Sequence, residues 1–342
     1  MRVLLTGSSG WLGRYLAPLL SQSGHEVIGI DVVPGACTQV IGTVADRALI
    51  DRTMGEHGIE AIIHSGALHK PDIVRYPRQA FVEVNVSGTL NLIEAAVAAG
   101  NDRFLFTSTT SLMVRADVRA GAGDTGAWWI NEDFGPLEPR NIYGITKLAA
   151  EQACRLVHRE HGISIAILRT GRFFPEDDDT HAVPSGPNLK ANEMLHRRLT
   201  VEDAAAAHLT VLEAAPTIGC DTFILSAPPP FARDDAEELA RDARAVIART
   251  HPEAAELYAA AGWVLPETID RVYDPSHAER RFGWRARSDF ATVLAARGGG
   301  RARPVAHDPA TTTPHRAHER AAGMRCTPPT AIIRAGRCGR GC

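Results

Sequence analysis

Tyr143 and Lys147 stand four residues apart in Tyr143-Gly144-Ile145-Thr146-Lys147, which opens a stretch of helical periodicity running to about His161. On a helix that spacing places both side chains on one face, one turn apart. A lysine ammonium beside a tyrosine favours the phenolate and lowers its pKa from about 10. A tyrosine so tuned can carry a proton near neutral pH. The same spacing arises by chance on many helices, so the pair gains weight only from its surroundings.

One such surrounding is the run Thr107-Ser108-Thr109-Thr110-Ser111, which ends the apolar stretch Arg103-Phe104-Leu105-Phe106. Hydroxyls at the carboxyl end of a buried parallel strand lie where α/β sheets place their chemistry. The alternative for this run is a plain serine/threonine turn.

A second is the unit at the start of the chain. The apolar Arg2–Thr6 reads as a buried strand, followed by Gly7-Ser8-Ser9-Gly10-Trp11-Leu12-Gly13, a helical stretch from Arg14, and a second strand, Glu26 to Asp31. In such a unit Gly7 permits a tight turn, Gly10 lets backbone N–H groups approach a pyrophosphate, and Gly13 lets the helix pack close to the strand. The loop residues Ser9, Trp11 and Leu12 lie within the same cofactor-binding stretch. Asp31 is placed to accept hydrogen bonds from an adenosine ribose, which favours NAD over NADP. Arg14 counters this, because a cation here could meet a 2′-phosphate.

The remaining elements position these groups. Val40 to Val44 reads as a short strand and Ala45 to His57 as a helix, with Asp46 either reaching the adenine or capping that helix. Ala61–Ser65 is a buried strand whose small following residues, Gly66 and Ala67, leave room for a cofactor to cross. The polar stretch after it offers His69 and Lys70 as substrate contacts or ordinary loop residues. Phe81 to Ala99 reads as one long helix. A mid-helix asparagine is unfavourable unless bonded, so Asn85, a candidate cofactor-site residue, is expected to tie neighbouring backbone together behind the active site. Residues 114–140, with Trp128 and Trp129, read as a long functional loop. Ser164–Arg169 is a further strand, and an acidic stretch, Glu176 to Pro187, follows it. Later expected elements are helices at 188–199, 204–215, 234–249, 252–261 and 274–282 and a strand at 222–226. From Gly298 the chain loses apolar periodicity and is expected to be a disordered tail.

The 342 residues suffice for one large or two modest domains. The expected division is 1–170 as an NAD-binding unit, 171–297 as a substrate lobe with returning sheet elements, and 298–342 as the tail. A net charge of −3 gives no reason to expect nucleic acid or an anionic membrane as partner. No apolar run approaches the roughly 20 residues that span a bilayer, and the N-terminus enters a strand directly, so no leader is expected. Cys37, Cys154 and Cys220 are scattered, so no disulfide framework is expected in the body and a reduced, cytoplasmic setting is the simplest reading. The tail cysteines near His315 and His318 lack metal-site spacing, so no metal is expected.

Taken together, these motifs resemble those of the extended short-chain dehydrogenase/reductases of the NAD-dependent epimerase/dehydratase family. The resemblance rests on Thr6 to Gly13, Asp31, Val84-Asn85-Val86-Ser87-Gly88-Thr89, the hydroxyls at 107–111, Asn131-Glu132-Asp133, Tyr143 to Lys147, Val201-Glu202-Asp203-Ala204 and Phe282-Gly283-Trp284. It implies a doubly wound parallel sheet (a Rossmann fold) with a small C-terminal substrate lobe, and NAD across the strand ends. It further implies Tyr143 as acid/base, Lys147 holding the nicotinamide ribose, and Thr109 or Ser108 bonding the reacting oxygen, with Ser111 close to the substrate. A homodimer is expected, because helices such as 81–99 and 141–161 often pair in this family. The implied substrate is a sugar or nucleotide sugar. Arg172 departs from the asparagine usual there, and the segment to Leu199 is short. The short segment leaves little protein to cradle a nucleotide diphosphate, the pattern Arg169-Thr170-Gly171, Phe174-Pro175 and Leu199 to Asp203 is similar to hexuronate dehydrogenases, and Arg172 suits a carboxylate among other groups, so a net dehydrogenase of a free sugar or hexuronate is the alternative. A non-catalytic NAD-sensing module ranks third, because Tyr143 and Lys147 are both kept.

Overall fold

Alternate residues of the first strand face opposite ways, and each face is apolar. Val3 and Leu5 enter one buried cluster and Leu4 another. That double burial is what a parallel strand covered on both sides requires. In the computed structural model, which describes residues 1–121, 126–174 and 186–298, this strand is β1 (Arg2–Thr6). It sits centrally in a seven-stranded sheet. The other members are β2 (Glu26–Asp31), β3 (Val40–Ile41), β4 (Ala61–His64), β5 (Arg103–Thr109), β7 (Ser164–Thr170) and β8 (Cys220–Leu225). The order is β3-β2-β1-β4-β5-β7-β8, with every neighbouring pair parallel. The doubly wound sheet is therefore present.

The chain winds outward from β1 through β2 to β3, then crosses to β4 and winds the other way. Where the order reverses, a crevice opens at the carboxyl ends of the strands. Helices Gly13–Gln22 and Val201–Ala214 cover one face, through Leu16, Leu20, Val211 and Leu212. Helices Arg47–His57, Gly88–Ala98 and Ile142–His161 cover the other, through Ile50, Leu92, Ala150 and Cys154. A further core gathers Leu195, Leu239, Val246, Tyr258 and Phe290 beside a two-stranded parallel sheet. Its strands are β6 (Trp128–Ile130) and β9 (Arg271–Tyr273).

Three expectations are corrected. The single helix over 81–99 is three pieces: Arg78–Val82, a π-turn at Glu83–Ser87, and Gly88–Ala98. The π-turn coincides with Asn85, whose amide is bonded outside its own helix. The 114–140 loop contains the helix Ala116–Ala120 and β6, so Trp128 and Trp129 are strand residues. Their partner β9 lies some 140 residues on, a pairing that local pattern does not reveal. Cys154 and Cys220 are free thiols, but Cys37 is disulfide-bonded, against the expectation for the body cysteines. The expected tail, apart from Gly298, and most of the acidic stretch after Phe174 lie outside the described residues. Among the described residues no helix is long and apolar enough to cross a membrane, and no cluster of metal ligands occurs.

Candidate active site

At the end of β1 the chain turns sharply. Gly7 adopts φ +71° and donates its N–H to the Ile30 carbonyl of β2 at 2.9 Å. A side chain on Gly13 would place its Cβ 2.2 Å from the Gly7 carbonyl oxygen and 2.7 Å from Ser8 Cα. Only glycine lets the helix start this close to the strand end. The helix that begins at Gly13 carries no acidic residue in its first turn. Its N-terminus therefore presents a positive dipole end and backbone donors to the crevice, a cradle that suits a pyrophosphate. Asp31 lines the same crevice and accepts N–H bonds from Ser9 at 3.0 Å and Val33 at 3.1 Å. Arg14 is exposed, with its guanidinium over the Trp11 ring at 5.4 Å. Trp11 in turn donates from Nε1 to the Phe173 carbonyl at 3.0 Å, joining the glycine loop to the segment after β7.

The crevice continues into a cleft of about 1110 Å³. Gly7, Gly10, Trp11, Leu12, Gly13, Gly66 and Ala67 line it, as do Thr109, Ser111, Tyr143, Lys147, His69 and Arg172. Of the expected cofactor residues, three lie elsewhere. The Ser9 hydroxyl donates to the Val33 carbonyl at 2.7 Å and holds the loop. Asp46 is exposed and accepts the Leu49 N–H at 3.0 Å, so it acts as a helix cap. Asn85 is buried behind the cleft wall. Its Oδ1 accepts the Leu68 N–H at 2.8 Å, and its Nδ2 donates to the Leu68 carbonyl at 3.0 Å and to Thr146 Oγ1 at 3.1 Å. Asn85 thus fastens the segment after β4 to the helix that carries Tyr143 and Lys147.

Asn141 caps that helix by accepting the Gly144 N–H at 3.0 Å. Tyr143 and Lys147 are both buried, and the Thr109 side chain lies against the Tyr143 hydroxyl, where it favours the ionised form. Burial pushes the Tyr143 phenol up to about 12, and the Thr109 side chain offsets this only in part. Burial also lowers the Lys147 ammonium to about 7. Its Nζ donates to the Thr107 carbonyl at 2.6 Å and lies 3.9 Å from the centre of the Phe106 ring. The expected lowering of the tyrosine by the lysine is therefore absent, because Lys147 is turned to the strand backbone rather than to the phenol.

Strand alternation separates the two candidate hydroxyls. Ser108 Oγ donates to Glu151 Oε1 at 2.7 Å, inside an ion pair in which Arg169 Nη2 reaches Glu151 Oε2 at 2.8 Å. Ser108 is thereby occupied in packing the helix on the sheet. Of the two, Thr109 alone meets Tyr143. It also accepts the Ser111 N–H at 3.1 Å, which starts the turn that carries Ser111 into the cleft.

His69 packs its ring 5.7 Å from Tyr143 and 5.5 Å from Phe174. Burial, then the Lys147 charge, lowers it to about 4, so it is neutral at physiological pH. Its Nδ1 is buried without a hydrogen-bond partner among the described residues. Arg172 approaches Glu193 at 3.4 Å, and the same carboxylate pairs with Arg197 and Arg198, each at 2.7 Å. Arg119, Arg140, Glu193, Arg197 and Arg271 also line the cleft, and motif spacing does not single them out. They come from separate segments with no shared motif, so only their convergence marks them.

The pattern of the NAD dependent epimerase/dehydratase family matches residues 3–224. A UDP-glucose 4-epimerase of Azospirillum brasilense is 32% identical over 177 residues, covering 49% of this chain and 48% of that protein. A 3-beta-hydroxysteroid dehydrogenase of Mycolicibacterium neoaurum is 27% identical over 230 residues, covering 64% of this chain and 56% of that protein. The chain spans about half the length of the curated relatives it matches. A short-chain dehydrogenase/reductase superfamily protein of Agrobacterium tumefaciens, solved with bound NAD, shares the fold at a TM-score of 0.63 and 22% identity, over 87% of this chain and 96% of that one. The family match begins in β1, passes through the glycine loop and the Tyr143 helix, and ends in β8. The chain therefore belongs to the NAD-dependent epimerase/dehydratase family.

Proposed function

We propose that this chain is an NAD-dependent enzyme of the epimerase/dehydratase type that oxidises a ring hydroxyl of a sugar or nucleotide sugar. The observation that carries this reading is the meeting of Tyr143 with Thr109 in the same cleft as the Gly7–Gly13 cradle. Bound NAD supplies a hydride acceptor and the positive charge of its oxidised ring. Thr109 holds the reacting oxygen by its hydroxyl. Tyr143 takes the hydroxyl proton as a phenolate, a form that burial alone disfavours and that the positive charge of the bound cofactor's oxidised ring would favour. Lys147 keeps positive charge on the Tyr143 side of the cleft and serves the cofactor ribose. His69, neutral and partly unpartnered, offers a hydrogen-bonding nitrogen beside Tyr143. Asp31 supports NAD over NADP, because its carboxylate lines the crevice while Arg14 lies over Trp11.

A net dehydrogenase of a free sugar or hexuronate is the second reading, favoured by the arginines that line the cleft. A panel of sugars, sugar acids and nucleotide sugars incubated with NAD separates the two. Growing NADH absorbance identifies the dehydrogenase, and an epimerised or dehydrated product without NADH identifies the first reading. NAD binding with neither outcome across the panel leaves the NAD-sensing module.

The proposed division sets 1–170 as the cofactor unit and 171–297 as the substrate lobe, with β8 returned to the main sheet. The proposed homodimer pairs the helices that follow β4 and precede β7. It is supported by Val82, Ile145 and Leu156, which are 37%, 50% and 45% exposed on those helices. Light scattering at a monomer mass would exclude it.

A further inference from the structure

The cleft wall beyond Tyr143 carries positive charge that the proton and hydride chemistry does not use. Lys70 follows β4, Arg119 ends the short helix Ala116–Ala120, and Arg140 precedes the helix Ile142–His161. All three line the cleft, together with Arg172 and Arg197. Two carboxylates face the same wall, and both are engaged. Glu193 is shared among Arg172, Arg197 and Arg198. Asp72 accepts the His69 N–H at 2.7 Å. Among the described residues Lys70, Arg119 and Arg140 have no carboxylate partner. Arg140 donates from Nε to the Val114 carbonyl at 3.1 Å, which leaves its two terminal nitrogens to the cleft. Burial and the fields of Arg119, Arg140, Arg172 and Arg197 together lower the Lys70 ammonium, so these charges sense one another. Like charges gathered in a cleft repel, and an anion bound among them relieves that cost.

We propose that Lys70, Arg119 and Arg140 form an oxyanion-recognition site that holds the substrate by an anionic group remote from the reacting hydroxyl. Two guanidinium forks and one ammonium match a phosphate, a diphosphate or a sugar carboxylate. The site lies on the β4 and β5 side of the sheet, whereas the glycine loop and Asp31 lie on the β1 and β2 side. Its ligand is therefore separate from the cofactor pyrophosphate. Neutral sugars bind more weakly because they lack the anionic group that the three charges hold. This inference rests on the proposed function for the word substrate, but the anion binding stands without it.

The test uses the full chain saturated with NAD. Inorganic pyrophosphate is titrated by calorimetry at low and high salt, against wild type and Lys70→Met, Arg119→Gln and Arg140→Gln. The expected result is binding that weakens with salt and weakens roughly tenfold with each substitution. NAD affinity and circular dichroism report that the variants are folded, which the exposure of all three residues favours. In turnover, a hexuronate, a hexose 1-phosphate and a UDP-hexose are compared with the neutral hexose. Preference for the hexuronate assigns a carboxylate, and preference for either of the others assigns phosphate, with KM for that substrate rising in the three variants. Pyrophosphate bound equally by all four proteins, or a neutral hexose used as well as the anions, overturns the proposal. Salt-sensitive, variant-sensitive pyrophosphate binding without turnover of any sugar upholds the anion site and sinks the proposed function instead.

Discussion

The two walls of the cleft are built in opposite ways. The cofactor wall comes from one short run of chain: β1, the Gly7–Gly13 turn, one helix, and β2 ending in Asp31. Its contacts are backbone to backbone, such as Gly7 to Ile30, and its key side chain is the absent one at Gly13. The wall proposed to meet the substrate comes from five separate segments that supply Lys70, Arg119, Arg140, Arg172 and Arg197. It is made of long charged side chains on turns and short helices. A wall of backbone recognises what every ligand of the family shares. A wall of side chains can be exchanged residue by residue, and it is where specificity is expected to reside. Tyr143, Thr109 and Lys147 lie at the seam between them.

Removing the proposed proton carrier should have the largest effect. Tyr143→Phe keeps the ring and its packing, and should lower turnover by roughly 10²–10⁴-fold while NAD affinity persists. Near-full turnover by this variant would transfer the proton step to another residue, His69 first.

Next comes Gly13→Ala, which tests the backbone wall. Its Cβ would meet two backbone groups that cannot swing aside. Overpacking of this kind costs about 1–3 kcal/mol or more, and NAD affinity should fall with stability. A Gly13→Ala protein as stable as wild type, with wild-type NAD affinity, would show that the close approach is dispensable.

Lys147→Met should separate stability from activity at the seam. Lys147 titrates at about 7 in the fold and at its ordinary value of 10.5 when unfolded. Below pH 7 both states carry the proton, and the cost of the buried ammonium is present in full. Between these values only the unfolded chain carries it, and the cost falls as pH rises. The Tm advantage of Lys147→Met over wild type should thus be largest near about pH 6 and shrink toward about pH 10, with turnover lost throughout. An advantage that grows with pH would contradict the burial of a charged lysine.

The smallest effect should divide the two hydroxyls. Ser108→Ala removes a hydrogen bond to Glu151 and should lower stability by about 1 kcal/mol while sparing turnover. Thr109→Ala should do the reverse, lowering turnover with little change in Tm. Similar losses of turnover in both variants would place Ser108 at the reacting oxygen after all.

Much of the site is local in sequence, and that part could be read directly. Glycine at 7, 10 and 13, an acid ending the next strand, and a tyrosine–lysine pair one helical turn apart are constraints set within a few residues of chain. Each follows from steric or helical geometry, so no knowledge of neighbours is needed. Asn85 was half legible: an amide in mid-helix must bond to something, but its partner Leu68 and the π-turn around it depend on packing. Asp46 shows the reverse case, where a cap and a ligand contact use the same residue type and only position decides.

The doubly wound sheet, the glycine cradle and the family were legible along the chain, because strand burial on two faces and close backbone approach each demand particular residue types. Folding in three dimensions was needed to settle which strand-end hydroxyl meets Tyr143, that Lys147 turns to Thr107, that β6 pairs with β9, and that cations from distant segments share one wall. Those outcomes depend on contacts across tens to more than a hundred residues, where the energy lies in burial, charge and register that no local pattern encodes.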